Sequence, residues 1–397
     1  MQYEFGDFRL DTDRYSLTAG GDLIPVQPQV FDVLSYLIAN RERVITKNEL
    51  LDGVWGDRFV SESALTSRIR SARQALADDG DAQRLIRTVH GRGYQFVGEA
   101  AEVETGEPTT AATTAPREMP QQIRFATSAD GTCIAHSTVG AGPTLVRAAH
   151  WITHLDFEWQ SPVWRPWLDG LMAGRTLVRY DGRGMGLSDQ DVEDLGIEVA
   201  VQDLEAVVEN LGLERFPLLG LSQGGAVAIA YAHRHPDKVS KLVIVNGYAR
   251  GLAVRPNREN ARREADLQAE LIRLGWGSDD PSFRRFFTAN MIPDLSPELW
   301  DAFGDLFRRS TSPEMSARIC EAVVEIDVSD IAADLDIPTL ILHSINDRGV
   351  PVEEARHLAA VMPDARLVRL DSNNHLLQQN EAAWPVFLAE LDSFLAA

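Results

Sequence analysis

A serine lies at the centre of the pentapeptide Gly220-Leu221-Ser222-Gln223-Gly224. An apolar stretch precedes it and a helical pattern follows it, so we expect this serine on a sharp turn from a strand into a helix. Such a turn exposes the hydroxyl oxygen, and the two glycines leave space around it. The pattern predicts that Ser222 is a nucleophile and that the backbone N–H of Gln223 helps to bind an oxyanion.

An acid and a base for this serine follow later in the chain. Asp347 comes directly after an apolar stretch, and His375 lies near the carboxyl end. Histidine can accept the proton of the serine, while aspartate can orient the imidazole and stabilise its charged form. The alternative acid position after the preceding strand, near Asn246, offers no carboxylate. We therefore predict a catalytic set of Ser222, Asp347 and His375.

Alternating strands and helices must position these residues. Helical patterns lie between the apolar stretches, which is typical of a mostly parallel sheet covered on both faces. From about residue 249 to residue 335 helical patterns dominate, which predicts a helical cap over the carboxyl ends of the strands. The predicted strands are Thr144 to Ala148, Thr176 to Tyr180, Phe216 to Gly220, Lys241 to Asn246, Pro338 to His343 and Ala365 to Leu370.

Residues from about 123 to 397 resemble the α/β-hydrolase fold, in particular its esterase- and haloperoxidase-like members that carry a helical cap. The chain order serine, aspartate, histidine is the order that this fold uses. The resemblance implies a serine-dependent hydrolase of the esterase type, and we expect no cofactor and no metal. The other matching segments are Gly140 to Pro143, Asp181 to Ser188, Asn346 to Pro351 and Asn374-His375.

The same resemblance assigns the second oxyanion donor. Aligned from Gly142-Pro143, it is the backbone N–H of Trp151. Most relatives carry His-Gly before this residue, whereas this chain has Ala149-His150. The missing glycine affects how closely the backbone can approach a carbonyl oxygen, and therefore concerns turnover more than the fold.

Aromatic residues cluster after this turn. We expect Trp151, His154 and Trp159 to line a hydrophobic ligand pocket, together with Phe287 of the cap. The alternative, in which these rings pack the cap against the sheet, stays open. Asp181 is expected to be a structural member of its turn rather than a catalytic group.

The first hundred residues have a different pattern. Short alternating stretches from Tyr3 to Leu10 and from Tyr15 to Val26 predict small antiparallel strands. Apolar residues at helical spacing then predict three helices, and a hairpin with a glycine-rich tip closes the region. The helices contain Phe31 to Ile38, Lys47 to Trp55 and Ser61 to Ala77, and the hairpin runs from Ile86 to Val97.

Residues 3–98 resemble the winged-helix effector domain of the OmpR/PhoB regulators. The segment from Ile86 to Tyr94 matches the hairpin wing of that family almost residue for residue. In the family the third helix enters the major groove, and the wing contacts the neighbouring minor groove or backbone. Arginines and hydroxyls suit base edges and phosphates, so the resemblance implies DNA contacts from both elements. The candidates are Thr66, Arg68, Arg70 and Arg73 on the helix and Thr88 and Arg92 on the wing.

Composition separates these two regions. Residues 103–122 are rich in Thr, Ala, Pro and Glu and lack apolar periodicity, which is typical of a linker. We predict an α+β winged-helix domain at residues 1–100, a flexible linker at 101–122 and an α/β-hydrolase domain at 123–397.

The formal net charge of −21 is unevenly distributed. Residues 1–100 hold 12 Lys and Arg against 15 Asp and Glu, and the remainder holds 26 against 44. Between Arg58 and Arg92 there are seven arginines and four acids, so the basic stretch coincides with the predicted DNA contacts. The acidic remainder disfavours nonspecific binding to DNA or anionic lipid.

Cysteine content and hydropathy indicate the compartment. Cys133 and Cys320 are too few for a disulfide framework and fit a reducing cytosol. The start does not resemble a signal peptide, and the most apolar run, from Pro217 to Ala232, is too short and too glycine-rich to span a bilayer. We expect a cytoplasmic protein that does not bind membranes.

Together the two regions predict a one-component transcriptional regulator that binds promoter DNA and senses a small hydrophobic or ester-like ligand. The alternative is an active serine esterase whose turnover of substrate controls the attached DNA-binding domain. Winged helices of this family occupy repeated half-sites as dimers, so a homodimer is expected. An inert interaction module is disfavoured because the set of Ser222, Asp347 and His375 is intact.

Overall fold

The computed structural model describes residues 2–12, 16–20, 22–24, 26, 28–55, 62–78, 82–89, 92–98, 100–103, 121–256, 260–278 and 280–396. The chain separates into two compact units, Met1–Ala115 and Pro116–Ala397. Among these residues, one hydrophobic core lies in the first unit, and two lie in the second, one on each face of its large sheet. The predicted two-domain architecture is confirmed.

The described residues of the first unit form two small sheets and three helices. Its elements are β1 (Gln2–Phe5), β2 (Phe8–Asp11), β3 (Ser16–Ala19), β4 (Asp22–Ile24), α1 (Pro28–Ala39), β5 (Ile45–Thr46), α2 (Lys47–Trp55), α3 (Glu62–Ala75), β6 (Ile86–Val89), β7 (Gly93–Phe96) and β8 (Ala101–Val103). The strand orders are β4-β3-β2-β1-β8 and β5-β7-β6, with antiparallel pairing throughout. The predicted antiparallel strands, three helices and hairpin are therefore all present.

Helix α3 has the apolar face that its sequence predicts. Leu65, Ile69 and Ala72 recur at spacings of four and three residues, and all three are buried in one core with Phe31 of α1. This packing fixes the rotation of α3, and it leaves Arg70 exposed on the other side.

The first unit extends beyond residue 100. Ala101–Val103, which we expected in the linker, forms β8 and pairs with β1, Gln2 lying opposite Val103. Residues 104–120 of the predicted linker lie outside the described residues. Pairing with a distant strand decides this boundary, and composition carries no information about such a partner.

An eight-stranded sheet forms the centre of the second unit. Its strands are β9 (Gln122–Thr127), β10 (Cys133–Gly140), β11 (Thr144–Arg147), β12 (Thr176–Tyr180), β13 (Phe216–Leu221), β14 (Val239–Val245), β15 (Thr339–Ser344) and β16 (Ala365–Leu370). The order is β16-β15-β14-β13-β11-β12-β10-β9, and β11 to β16 are parallel. The predicted mostly parallel sheet is confirmed, with the unpredicted strands β9 and β10 antiparallel at one edge.

Helices cover both faces of this sheet. They are α4 (Leu155–Gln160), α5 (Arg165–Met172), α6 (Ile197–Asn210), α7 (Gln223–Arg234), α8 (Ala261–Gly275), α9 (Ser282–Met291), α10 (Pro297–Ser310), α11 (Pro313–Val323), α12 (Ser329–Ala333), α13 (Val352–Val361) and α14 (Ala383–Ala396). Trp167 of α5 and Phe387 of α14 lie in one core, while Val207 of α6 and Leu358 of α13 lie in the other.

Helices α8 to α11 form the predicted cap. Their buried residues, among them Ile272 of α8 and Phe303 of α10, share a core with Leu221 at the end of β13. Helix α12 was also expected in the cap, but Ala332 packs in the opposite core with Ile229 of α7. The cap is therefore shorter than residues 249–335, because α12 has an apolar side that the flanking layer buries.

Candidate functional site

Ser222 lies at the turn between β13 and α7. Its backbone has φ 54° and ψ −126°, a conformation that residues with a side chain rarely adopt, so the turn is strained. Ser222 N donates to Val245 O at 3.0 Å, and Gly225 N donates to Ser222 O at 2.9 Å. These bonds hold the serine at the strand-to-helix position where the sequence pattern places it.

The glycines of the pentapeptide allow two close backbone approaches. A Cβ atom on Gly220 would lie 2.3 Å from Gly224 O, and one on Gly224 would lie 2.9 Å from Ala149 O. Real Cβ atoms do not tolerate such distances, so both positions need glycine. The second approach brings the start of α7 against the turn that contains Ala149, His150 and Trp151.

Asp347 and His375 meet at the carboxyl ends of the neighbouring strands β15 and β16. Asp347 Oδ2 lies 2.6 Å from His375 Nδ1, and both residues are buried. Asp347 Oδ1 accepts hydrogen bonds from Gly349 N at 2.8 Å and Val350 N at 3.0 Å. The carboxylate therefore orients the imidazole with Nε2 as the nitrogen available for the serine proton.

Asn246 connects these two loops, a role that no motif in the sequence indicates. Its Nδ2 donates to His375 O at 2.6 Å and to Ser344 Oγ at 3.2 Å, and its Oδ1 accepts from Ser344 N at 2.7 Å. The residue is buried with φ 46°, a conformation that asparagine tolerates better than most residues. Asn246 thus fixes the backbone of His375 relative to β15.

Ser222 and His375 line one cavity of about 470 Å³. This volume falls in the range of small-molecule sites, roughly 300–1,000 Å³. The cavity wall is largely apolar and comes mainly from the cap, while Arg255, Glu264 and Arg348 are its charged members. Its apolar residues include Leu252, Leu267, Leu271, Phe286, Phe287, Met291, Val323 and Val324.

The four expected pocket residues divide into two pairs. Trp151 and Phe287 line the cavity, and their ring centroids are 6.4 Å apart. His154 and Trp159 do not line it, which corrects the expectation from sequence. Trp159 lies on α4 against the guanidinium of Arg165 at 4.3 Å, and His154 is buried as the N-cap of that helix. The local path of α4 turns both side chains away from the cavity.

The two expected oxyanion donors lie on the same cavity. Gln223 is the first residue of α7, where backbone N–H groups have no partner within the helix. Trp151 lines the cavity from the turn after β11. Ser222, Gln223 and Trp151 are thus brought together, so an acyl oxygen bound to the serine could receive two backbone hydrogen bonds.

A buried ionic cluster lies behind the oxyanion turn. Glu158 Oε2 accepts from Arg147 at 2.5 Å and from Arg179 at 2.9 Å, and all three side chains are at most 2% exposed. Burial opposes ionisation of Glu158, but the two guanidinium groups outweigh it and lower the pKa of the carboxyl. Burial also lowers the pKa of Arg179 to about 10. His150 Nε2 lies 3.5 Å from Glu158 Oε1, which links the cluster to the turn.

Asp181 lies in the turn after β12 and is fully buried. Its Oδ2 accepts from Leu155 N at 3.1 Å and Leu187 N at 2.9 Å, and Gly186 approaches so closely that a Cβ there would collide with the carboxyl. Burial is the main reason that the pKa of Asp181 rises to about 7. The residue joins the turn after β12 to the start of α4, as a structural member of the turn would.

We expect Asp181→Asn to flatten the dependence of stability on pH. Because the pKa rises from 3.8 to about 7 on folding, the folded protein binds this proton more tightly than the unfolded chain. The stabilisation is complete below about pH 4 and is lost as the pH rises to 7, on the order of a few kcal/mol. Urea unfolding of variant and wild type between pH 4 and pH 8 measures the difference. If the free energy of unfolding depends on pH in the same way in both proteins, Asp181 is not the group that causes this dependence.

Two absences hold for the described part of the chain. No helix there is long and apolar enough to cross a membrane. No group of three or more His, Cys, Asp and Glu side chains there could hold a metal ion.

The candidate DNA-contacting residues of the first unit differ in exposure. Thr66 and Arg70 on α3 are exposed, as is Arg92 before β7, and Arg68 is half-buried. The tip residues His90 and Gly91 lie outside the described residues. The exposed side of α3 and the wing therefore present cationic and hydroxyl groups, which suit phosphates and base edges.

The other two candidates, Arg73 and Thr88, are bonded to each other. Arg73 Nη2 donates to Thr88 Oγ1 at 2.8 Å and to Ile86 O at 2.8 Å, and Arg73 Nε donates to Ile86 O at 3.1 Å. Asp78, which sequence analysis missed, accepts from the backbone N–H groups of Leu85 and Ile86 at 3.0 and 2.9 Å. These contacts fix the wing against α3.

Comparison with known proteins agrees with both units. Residues 21–96 match the family "Transcriptional regulatory protein, C terminal", and residues 158–382 match the family "alpha/beta hydrolase fold". The AB hydrolase superfamily protein YisY of Bacillus subtilis is 29% identical over 246 residues, 60% of this chain and 86% of that protein. The transcriptional regulator HilA of Salmonella typhi is 37% identical over 95 residues, 24% of this chain and 17% of that regulator.

Solved structures show the same fold for the second unit. An esterase from Exiguobacterium antarcticum has a TM-score of 0.58 at 23% identity, covering 69% of this chain and 99% of the esterase. The hydrolase match spans more than half of the chain, and the winged-helix match lies in the unit that precedes it. This protein belongs to the α/β-hydrolase family and carries an OmpR/PhoB-type DNA-binding domain of the transcriptional regulators in front of its hydrolase domain.

Proposed function

We propose that this protein is a one-component transcriptional regulator whose hydrolase domain senses a small ligand. The observation that carries the proposal is the cavity of about 470 Å³ lined by Ser222 and His375, in a chain that also holds a DNA-binding domain. Binding of a ligand changes DNA occupancy only if the ligand favours one conformation of the protein over another. Ligand binding in the cavity thereby changes transcription from the promoter that the protein occupies.

The cavity favours a hydrophobic ligand that carries an ester or lactone carbonyl. Leu271, Phe287 and Met291 offer apolar contacts, while the polar groups converge at one end around Ser222. A carbonyl placed at Ser222 would receive the N–H groups of Gln223 and Trp151. Such a compound must reach DNA-bound protein, which fits the cytoplasmic location that we propose.

A second candidate function is catalysis that controls the signal. The contact of 2.6 Å between Asp347 and His375 and the strained backbone of Ser222 favour it, because a receptor needs neither. In this version the protein hydrolyses its ligand, and conversion ends the response. Ser222 Oγ attacks the carbonyl while His375 takes the serine proton, and His375 then gives that proton to the departing alcohol. A water that His375 deprotonates next attacks the acyl-serine, which releases the carboxylic acid and restores the Ser222 hydroxyl.

Hydrolysis of p-nitrophenyl acetate and butyrate by the full-length protein tests both candidates. If the catalytic version holds, wild type turns over these esters and Ser222→Ala reduces the rate to background, a loss of at least 10³-fold. Wild type that binds DNA but leaves both esters intact would favour a receptor. DNA binding by Ser222→Ala that still responds to ligand would also show that recognition alone controls the regulator.

The DNA half of the proposal predicts different effects for two arginines of α3. Arg70 is exposed, so we expect Arg70→Ala to lower the slope of log K against log salt by about 1. Arg73 is bonded to Ile86 and Thr88, so Arg73→Ala should instead lower the free energy of unfolding by about 1–3 kcal/mol. Fluorescence anisotropy of a duplex selected from a random pool measures the first effect, and urea unfolding the second. An unchanged slope for Arg70→Ala would contradict this assignment.

We also propose that the regulator acts as a homodimer on promoter DNA, and that residues 104–120 link its two domains. Two half-sites bound together give far higher affinity than one, which suits a domain of about 100 residues. Light scattering of the protein, free and on DNA, measures the assembly directly. A monomer in both states would rule the dimer out.

A further inference from the structure

Gln121 is the first described residue of the second unit, and its side chain is tied into that unit by four contacts. Its Oε1 accepts from Arg179 Nη2 at 2.5 Å and from Ser137 Oγ at 3.2 Å. Its Nε2 donates to Asp156 Oδ1 at 3.0 Å and to Leu155 O at 3.3 Å. The point at which the chain enters the hydrolase domain is therefore anchored to β10, β12 and α4.

From Gln121 a continuous series of contacts reaches the oxyanion turn. Arg179 donates to Glu158 at 2.9 Å and to Leu155 O at 2.7 Å. Glu158 approaches His150 at 3.5 Å, and the imidazole of His150 stacks on Trp164 with ring centroids 4.9 Å apart. His150 directly precedes Trp151, whose backbone N–H is the expected oxyanion donor.

This series is rigid because its charges are buried. The side chains of Arg179 and Glu158 are 0% exposed, so water cannot replace a contact that lengthens. A shift of the oxyanion turn that keeps His150 beside Glu158 must then move the carboxylate and Arg179 with it. Movement of Arg179 alters the partners of Gln121, since its guanidinium contacts both Glu158 and Gln121.

We propose that Gln121 and the Glu158 cluster couple the state of the cavity to the chain segment that leads to the DNA-binding domain. A carbonyl bound by Trp151 N–H favours one position of the oxyanion turn, and the cluster carries that preference to Gln121. Glu158 is a positioning residue here, because it acts on the oxyanion turn through His150. The inference rests on the proposed function, to which it adds the route of the signal.

Hydrogen exchange of the full-length protein tests the coupling without any ligand. Gln121→Ala removes the contacts at one end, so we expect the backbone amides of residues 149–153 to exchange about fivefold faster than in wild type. Gln122→Ala is the matched control, because this neighbouring glutamine is exposed on β9 and accepts a hydrogen bond from Arg124 at 3.4 Å, outside the cluster. Equal exchange of residues 149–153 in Gln121→Ala and wild type would overturn the proposal.

Coupling in the opposite direction, from the cavity to the segment that follows Gln121, is tested with diethyl p-nitrophenyl phosphate as the probe. Ser222 Oγ attacks its phosphorus, His375 takes the serine proton and p-nitrophenolate leaves, which places a phosphoryl oxygen at the oxyanion donors. Modified wild type and Gln122→Ala should show exchange of residues 122–127 slowed severalfold, and Gln121→Ala should not. A serine that resists the probe would count against the catalytic version of the function, while the ligand-free comparison still decides the coupling.

Discussion

Asp347→Asn is expected to reduce kcat for p-nitrophenyl butyrate by roughly 10⁴-fold with little change in KM. Asp347 Oδ1 is held by Gly349 N at 2.8 Å and Val350 N at 3.0 Å, so the amide oxygen of the variant would occupy that place. The new NH₂ group would then face His375 Nδ1, where the carboxylate oxygen now lies at 2.6 Å. This donor forces the imidazole proton onto Nε2, and the imidazole can no longer accept the proton of Ser222.

The control for this substitution is Asp371→Asn. Asp371 is exposed in the loop that carries His375, four residues before it, so the loss of its charge tests for a general electrostatic effect on the histidine. We expect wild-type rates for this variant. Retention of more than a tenth of kcat in Asp347→Asn would mean that this carboxylate does not set the tautomer of His375.

Glu158→Ala is expected to lower the free energy of unfolding of the hydrolase domain by about 3–5 kcal/mol. The carboxylate is the shared partner of Arg147 at 2.5 Å and Arg179 at 2.9 Å, and none of the three side chains is more than 2% exposed. Without it two guanidinium groups stay buried and repel each other, and a buried unpaired charge costs far more than a lost surface ion pair. Urea unfolding followed by tryptophan fluorescence measures the loss.

Two further variants separate the charge from the packing. Glu353→Ala removes an exposed partner of Arg356 at 3.5 Å, and we expect a change within about 0.5 kcal/mol. The triple variant Arg147→Met, Glu158→Leu, Arg179→Met removes all three charges and should recover most of the lost stability. If the triple variant is as unstable as Glu158→Ala, the cost lies in the packing of α4 instead.

The local elements of this protein follow directly from its sequence. The predicted helix at Lys47–Trp55 and the strands at Thr176–Tyr180 and Ala365–Leu370 have the bounds that the structure shows. Apolar periodicity is a local property, so it needs no knowledge of distant residues. The positions of Ser222, Asp347 and His375, each after a parallel strand, also predict their convergence, since the carboxyl ends of parallel strands meet at one edge of a sheet.

Side-chain direction and pairing between distant segments do not follow from local patterns. Trp159 is an aromatic residue of the type that lines ligand pockets, but the path of α4 places its ring against Arg165 and away from the cavity. The position of Arg73 along α3 suits a residue that contacts DNA, but its guanidinium donates hydrogen bonds to Ile86 and Thr88. Whether such a group faces a ligand or its own protein depends on neighbours distant in sequence.

The strand-to-helix turn at Ser222 and the basic helix α3 were predictable because each depends on residue types within one short segment, and the two-domain architecture because composition and periodicity change between the two regions. The contact among Arg147, Glu158 and Arg179 follows instead from the folded arrangement of the chain. They come from two strands and a helix, and a buried charge is tolerated only where the fold supplies its partner. Periodicity marks which residues are buried, and three-dimensional packing alone determines which buried charges neutralise one another.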